Sequence, residues 1–226
     1  FLILLVIVFE IWSHIAYDRS FLANTYNLRS LAIFAAVPLL LALGQTFVII
    51  SAGIDLSVGF IMGLAAVISA HAVGFLGDVG LPSVLAAVLG ISFACVVAVI
   101  PGLINGWLVA ALGIPPFIGT LGMYGVARGA AFLFAGGMTV AVSNETMKFL
   151  GNGKLLGVPI LVFIVAALCL VAHYLLSQTR FGQHTYAMGA NKAAADRAGI
   201  NTRNLTIKIY ALAGLFAGVA GALYTA

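Results

Sequence analysis

The stretch Gly53-Ile54-Asp55-Leu56-Ser57-Val58-Gly59 interrupts a run from Leu31 to His71 in which Asp55 is the only charged residue. The flanks are apolar enough to cross a bilayer, so an ionised Asp55 would lie at or near hydrocarbon. A carboxylate there costs roughly 2.5–3.5 kcal/mol at a helix centre, and it requires a partner or a reason. Two glycines, an aspartate and a serine so close together read as a break between two helices. Asp55 and Ser57 can cap the second helix by accepting from its free N–H groups.

Composition extends that reading to the whole chain. Hydrophobic residues make up 63% of the 226 positions and charged residues 7%, against about a quarter charged in soluble domains. Such a chain cannot cover a water-facing surface. Apolar runs reach the roughly 20 residues of a spanning helix, and the alternating pattern of a membrane barrel is absent. The expected fold is all-α: a polytopic transmembrane bundle forming one domain over 1–226. About seven segments can be marked: Phe1–Tyr17, Leu31–Ala52, Leu56–Phe75, Ser83–Leu108, Phe117–Phe134, Val158–Ser177 and Ile207–Ala226. Between the first two, Asp18–Ser30 is polar with spaced Phe21, Leu22, Tyr26 and Leu28, which predicts a short interfacial helix. The chain starts without Met and stops within an apolar segment, so both ends read as trimmed.

Loop charges orient the bundle. The 177–208 loop carries Arg180, Lys192, Arg197, Arg203 and Lys208 against a single acid, Asp196. The positive-inside tendency makes it cytoplasmic, and six crossings back the N-terminus is cytoplasmic too. The net charge of +4 then belongs to orientation, and no nucleic-acid partner is expected. Small residues at helix-packing spacing, Gly59/Gly63, Gly102/Gly106, Gly125/Gly129 and Gly214/Gly218, predict close backbone approach.

Little in the chain suggests catalysis. His14, His71, His173 and His184 are scattered with no ligand spacing, Cys95 and Cys169 sit in apolar runs, and no Walker-type phosphate loop is present. No catalytic residue, metal or cofactor is expected. Polar residues inside the spans are more informative. Gln45, Ser51, Asp55 and Ser57 cluster at the break, Asn105 lies in the fourth span, and Thr120, Tyr124 and Arg128 share a face of the fifth. They are candidates for a polar translocation pathway or gate. Asp55 reads first as a cap and second as a solute contact, while Arg128 either lines the pathway, snorkels outward or pairs with a loop acid.

In the polar 177–208 loop, Asn191 precedes a run of helix formers, Lys192 to Ala198, and Gly199 stands at the stop position. A short helix projecting between two spans is suited to dock in a partner's groove.

Leu43-Gly44-Gln45-Thr46 leading into Gly53–Gly59 resembles the signature of ribose- and xylose-type ABC importer permeases, in the branched-chain amino acid/ribose permease superfamily. So do Asn105-Gly106 with the 113–122 stretch, and Tyr186–Asn191 followed by Ala194-Ala195, Gly199-Ile200 and 210–214. The resemblance implies that Asn191, Ala194, Ala195, Gly199 and Ile200 form a coupling helix on a cytoplasmic ATPase subunit, which binds the ATP. It also implies a second permease copy, an extracytoplasmic sugar-binding protein, surrounding lipid, and further spans beyond the coupling loop. Where such loops often carry an acid before the Ala pair, this chain has Lys192 and Ala193, leaving none for a salt contact. The function implied is permeation of a small polar solute, a monosaccharide such as ribose or xylose, across the bacterial cytoplasmic membrane. Nucleosides, or an ion-coupled secondary transporter, are the alternatives; the latter should show paired intramembrane acids, and only Asp55 is available.

Overall fold

The structure, a computed structural model, describes residues 1–226. It contains α1 (Leu2–Tyr17), α2 (Thr25–Ile50), α3 (Val58–Asp78), α4 (Ser83–Ala111), α5 (Pro116–Ala135) and α6 (Glu145–Asn152). A two-stranded antiparallel hairpin, β1 (Lys154–Leu155) and β2 (Val158–Pro159), precedes α7 (Ile160–Gln178), α8 (Arg180–Ala190), α9 (Lys192–Arg197) and α10 (Thr202–Tyr224). The chain is an all-α, multi-pass membrane protein. Six helices, α2 to α5, α7 and α10, are long and apolar enough to cross a bilayer. The seventh expected span, α1, has 16 residues and buries none of them, short of the roughly 20 a straight crossing requires.

The interfacial helix expected over Asp18–Ser30 does not form. Glu10 of α1 accepts from Ser20 Oγ and from the backbone N–H groups of Phe21 and Leu22. That clamp uses up donors a helix would need there. Asn24 then caps α2, its Oδ1 accepting from Tyr26 N at 2.9 Å, so the helical part of this stretch is the first turn of the next span.

The core is built around α10, which packs on α2, α3 and α4. Lipid offers no hydrophobic drive between helices, so association rests on close packing of small residues. Gly102 and Gly106 of α4 lie against the backbone at Tyr210 and Ile207, and Gly214 and Gly218 of α10 lie against Ala98 and Cys95. A methyl at Gly218 would stand 2.9 Å from the Cys95 Cα. Two of the four glycine pairs therefore make one backbone-to-backbone crossing. The other two, Gly59/Gly63 and Gly125/Gly129, meet nothing within 4 Å. Glycine spacing marks a smooth strip on a helix, and whether another helix lies on it is decided elsewhere in the chain.

Because α10 packs on both α2 and α3, the link Ser51–Ser57 is a bridge laid over α10. The expected break between two helices is present, and it crosses over a third. Phe47, Val48, Met188, Ile209, Tyr210 and Phe216 belong to the largest buried cluster, which joins α2, α7, α8 and α10.

Candidate functional site

At the end of α2 the backbone turns sharply: Ser51 Oγ donates to Val48 O at 2.7 Å, Ala52 takes a left-handed φ of 60°, and Gly53 N donates to Val48 O at 2.9 Å. Three helices then hold the bridge. Tyr210 of α10 donates its hydroxyl to Ile54 O at 2.9 Å, and Gln45 of α2 donates Nε2–H to Asp55 O at 2.5 Å. Asn105 of α4 donates Nδ2–H to Ser57 Oγ at 2.9 Å, and Ser57 Oγ donates to Asp55 Oδ1 at 2.6 Å. Asp55, Ser57, Asn105 and Tyr210 are all buried. The bonds from Tyr210, Gln45 and Asn105 each fix the bridge to a different helix, so its position reports the packing of all three.

Asp55 is a cap of a different kind from the one expected. Its Oδ1 accepts from Ser57 N at 2.9 Å, closing a local turn ahead of α3. Ser57 occupies the N-cap position of α3 without a side-chain cap bond, because its hydroxyl is engaged by Asp55 and Asn105.

The candidates on α5 do not join this network. Thr120 is buried and donates its hydroxyl to Pro116 O at 2.8 Å within its own helix. Tyr124 meets Phe60 of α3 edge-on at 4.4 Å between centroids, and the Arg128 guanidinium stands 5.6 Å above the same ring. Arg128 is exposed and forms no salt bridge, so the loop-acid pairing is not made; its guanidinium lies over an aromatic face at an exposed position. Ser51 is spent on its own helix end. Of the eight pathway candidates, four come together: Gln45, Asp55, Ser57 and Asn105.

The 177–208 loop is more structured than its sequence suggested. α8 precedes the predicted short helix and lies directly on the end of α2. The Gly189 Cα faces the Ile50 carbonyl and Ser51 so closely that a β-carbon would collide with backbone. Beside it, Met188 is buried in the α2–α10 cluster. α9 follows as expected: Asn191 Oδ1 accepts from Ala194 N at 3.0 Å, and Gly199 takes φ 85°. Ala195 is buried and Ile200 half-buried against the same cluster, whereas Asn191, Ala194 and Gly199 are exposed. Thr202 Oγ1 donates to Asp196 Oδ1 at 2.6 Å, pinning α9 to the start of α10. A cavity of about 410 Å³ lies between this loop and the bridge, lined by Ser51, Gly53, Pro115, Asn191, Lys192 and Tyr210 among others.

Two positions that matter here, Gly189 and Tyr210, were not sequence candidates. Both stand in the stretches that carry the family resemblance, but nothing local distinguishes them from a packing glycine and an interfacial tyrosine. Only the fold brings them to Ile50 and Ile54.

A family model described as branched-chain amino acid transport system / permease component matches residues 27–226. The chain belongs to that family. Within it, the galactofuranose transporter permease protein YtfT of Escherichia coli K12 is 40% identical over 195 residues, covering 85% of this chain and 54% of that protein. The ribose import permease protein RbsC of the same strain is 33% identical over 229 residues, covering 100% of this chain and 68% of the relative. The fructose import permease protein FrcC of Rhizobium meliloti is 37% identical over 186 residues, covering 78% and 49%. The chain thus spans roughly half to two thirds of the length of these permeases. No solved structure matches it. The resemblance read from the motifs holds at family level, and membership with six spanning helices makes this a multi-pass protein of the cytoplasmic membrane.

Proposed function

We propose that the chain is the membrane-spanning part of the permease subunit of an ATP-driven importer for a monosaccharide. The observation that carries this reading is the seating of α8 on the end of α2 through Gly189. It places a protruding short helix, α9, one contact away from a bridge held by three transmembrane helices. A partner pushing on α9 moves α8, and α8 has no compressible side chain between itself and Ile50. Tyr210, bonded to Ile54 and packed with Met188, gives the same displacement a second route.

In this reading a cytoplasmic ATPase subunit docks on the exposed Asn191, Ala194 and Gly199 and supplies the push as its dimer closes on ATP. Two permease copies enclose the route, and an extracytoplasmic binding protein delivers the solute. The bridge and its buried polar anchors switch between two packings of the helices. Its bonds are all internal, so it acts as a gate component, and the route itself has only to bind the sugar weakly enough to release it. The printed names of the relatives, for galactofuranose, ribose and fructose, support a monosaccharide as solute.

The test is uptake by full-length permease reconstituted with its ATPase and binding protein, using labelled ribose, xylose, fructose and galactofuranose. Uptake of at least one should require ATP and persist when the membrane potential is collapsed. Uptake that follows the potential and ignores ATP would overturn the proposal.

A further inference from the structure

Asp55 and Asn105 hang from opposite sides of one hydroxyl. Ser57 Oγ donates to Asp55 Oδ1 and accepts from Asn105 Nδ2. Each partner keeps a second oxygen, Asp55 Oδ2 and Asn105 Oδ1, that is buried and bonded to nothing. The residues are 4% and 0% exposed, so water does not reach these atoms from the surface. Two unpartnered acceptors on one short chain of bonds demand a donor, because a buried polar atom without one forfeits its hydration with no return.

Nothing charged in this chain supplies that donor. The only ion pair in the chain joins His14 to Glu10 in α1. From α2 and α4 the bridge receives Gln45 and Asn105, both neutral. From α10 it receives Tyr210, whose hydroxyl proton is committed to Ile54 O. Arg128 of α5 stands over Phe60, and Lys192, the first residue of α9, lines the cavity; both are exposed and neither forms a salt bridge. An ionised Asp55 would therefore be a buried charge to which this chain offers no counter-ion. A buried group in that position neutralises itself. One added proton removes the charge and turns one of the two unpartnered acceptors into a donor.

We propose that Asp55 holds a proton at neutral pH, so that the centre of the bridge is an uncharged proton-binding site built from Asp55, Ser57 and Asn105. The proton comes from water as the bridge folds, and in this packing every neighbour of the carboxyl is neutral. The gate is then electrically silent: it neither attracts cations into the route nor ties its motion to the membrane potential. This inference concerns the protein's own chemistry and does not depend on which solute is carried.

The test uses the full-length protein in lipid nanodiscs, without solute. Infrared spectra at neutral pH should show the carbonyl stretch of a protonated, buried carboxyl. The band should vanish in Asp55→Asn and move in Asn105→Ser, which changes its surroundings but keeps the acid. Asp55→Asn has the shape of the neutral acid, and its melting temperature should stay within about 2 °C of wild type, while Asp55→Ala should fall by roughly 5 °C or more. Absence of the band from the wild-type protein overturns the proposal. So does an Asp55→Asn protein as unstable as Asp55→Ala, which would mean that the charge is required; stabilisation of the wild type by sodium or potassium would then name its counter-ion. If Asp55→Asn fails to fold, the wild-type and Asn105→Ser bands decide alone. A failure of sugar uptake in the reconstituted complex leaves all of these readouts standing.

Discussion

Adding one methyl at Gly189 should separate the work of the ATPase from the movement of solute. In Gly189→Ala the new carbon meets the carbonyl of Ile50, with the Ser51 Cα also at 3.4 Å. The obstacle is backbone, so no side-chain rotation relieves it and one helix has to move. Overpacking of this kind costs about 1–3 kcal/mol. Alanine's better helix propensity within α8 returns up to about 1 kcal/mol, leaving a net loss on the order of 1–2 kcal/mol at the α8–α2 contact. Since each 1.4 kcal/mol is about a tenfold change in an equilibrium, the seated population should drop roughly five- to thirtyfold relative to the unseated one. The assay is solute transported per ATP hydrolysed by the assembled full-length complex. ATP turnover should continue while transport per ATP falls about fivefold or more. Gly63→Ala, at a site meeting nothing within 4 Å, should change neither. An assembled Gly189→Ala complex with wild-type transport per ATP would refute the argument that force passes through this contact.

Three further substitutions probe the same frame. Tyr210→Phe leaves the Ile54 carbonyl without its hydroxyl donor and should cost about 1–3 kcal/mol, read as a lower melting temperature with the spanning helices intact. Gly102→Ala drives a methyl into the Tyr210 carbonyl across the α4–α10 crossing; extraction yield of folded protein should collapse, and normal yield would mean the crossing is looser than described. Gly199→Ala meets open space but must hold φ 85°, which costs a residue with a β-carbon roughly 1–2 kcal/mol; weaker ATPase binding in a pull-down, with an undisturbed bundle, is the expected result.

What could be read from residues alone follows a physical divide. Hydropathy is a property of each segment, so the spanning helices emerged near their true positions from composition. Local capping is also self-contained: Asn191 and Gly199 bound α9 because their side chain and backbone freedom act within a few residues. Packing partners are not local. The run Gly53–Gly59 identified itself as a break, but no feature of it says that α10 lies beneath or that Tyr210 holds Ile54. For the same reason the shared face of Thr120, Tyr124 and Arg128 was visible while its neighbour, Phe60, was not. Asp18–Ser30 failed in a third way. Its amphipathic spacing was real, but Glu10, several residues upstream, offered the backbone a better set of bonds than a helix would.

The central place of α10 has a consequence for how the molecule is made. Helices α2, α3 and α4 enter the membrane well before α10 is synthesised, and α5 to α9 intervene. Until then the surfaces that will receive it, Gly44 on α2 and Gly102 and Gly106 on α4, face lipid or one another. These smooth strips could pair wrongly in the interval, since close backbone approach is as available between them as with α10. The bridge over α10 cannot be fastened in that period either, because Tyr210 is not yet present. The finished packing is therefore set late and over long chain separations, a slow kind of assembly. Variants that weaken the α10 slot should show themselves first as permease cleared during biogenesis, before any defect in a mature transporter can be measured.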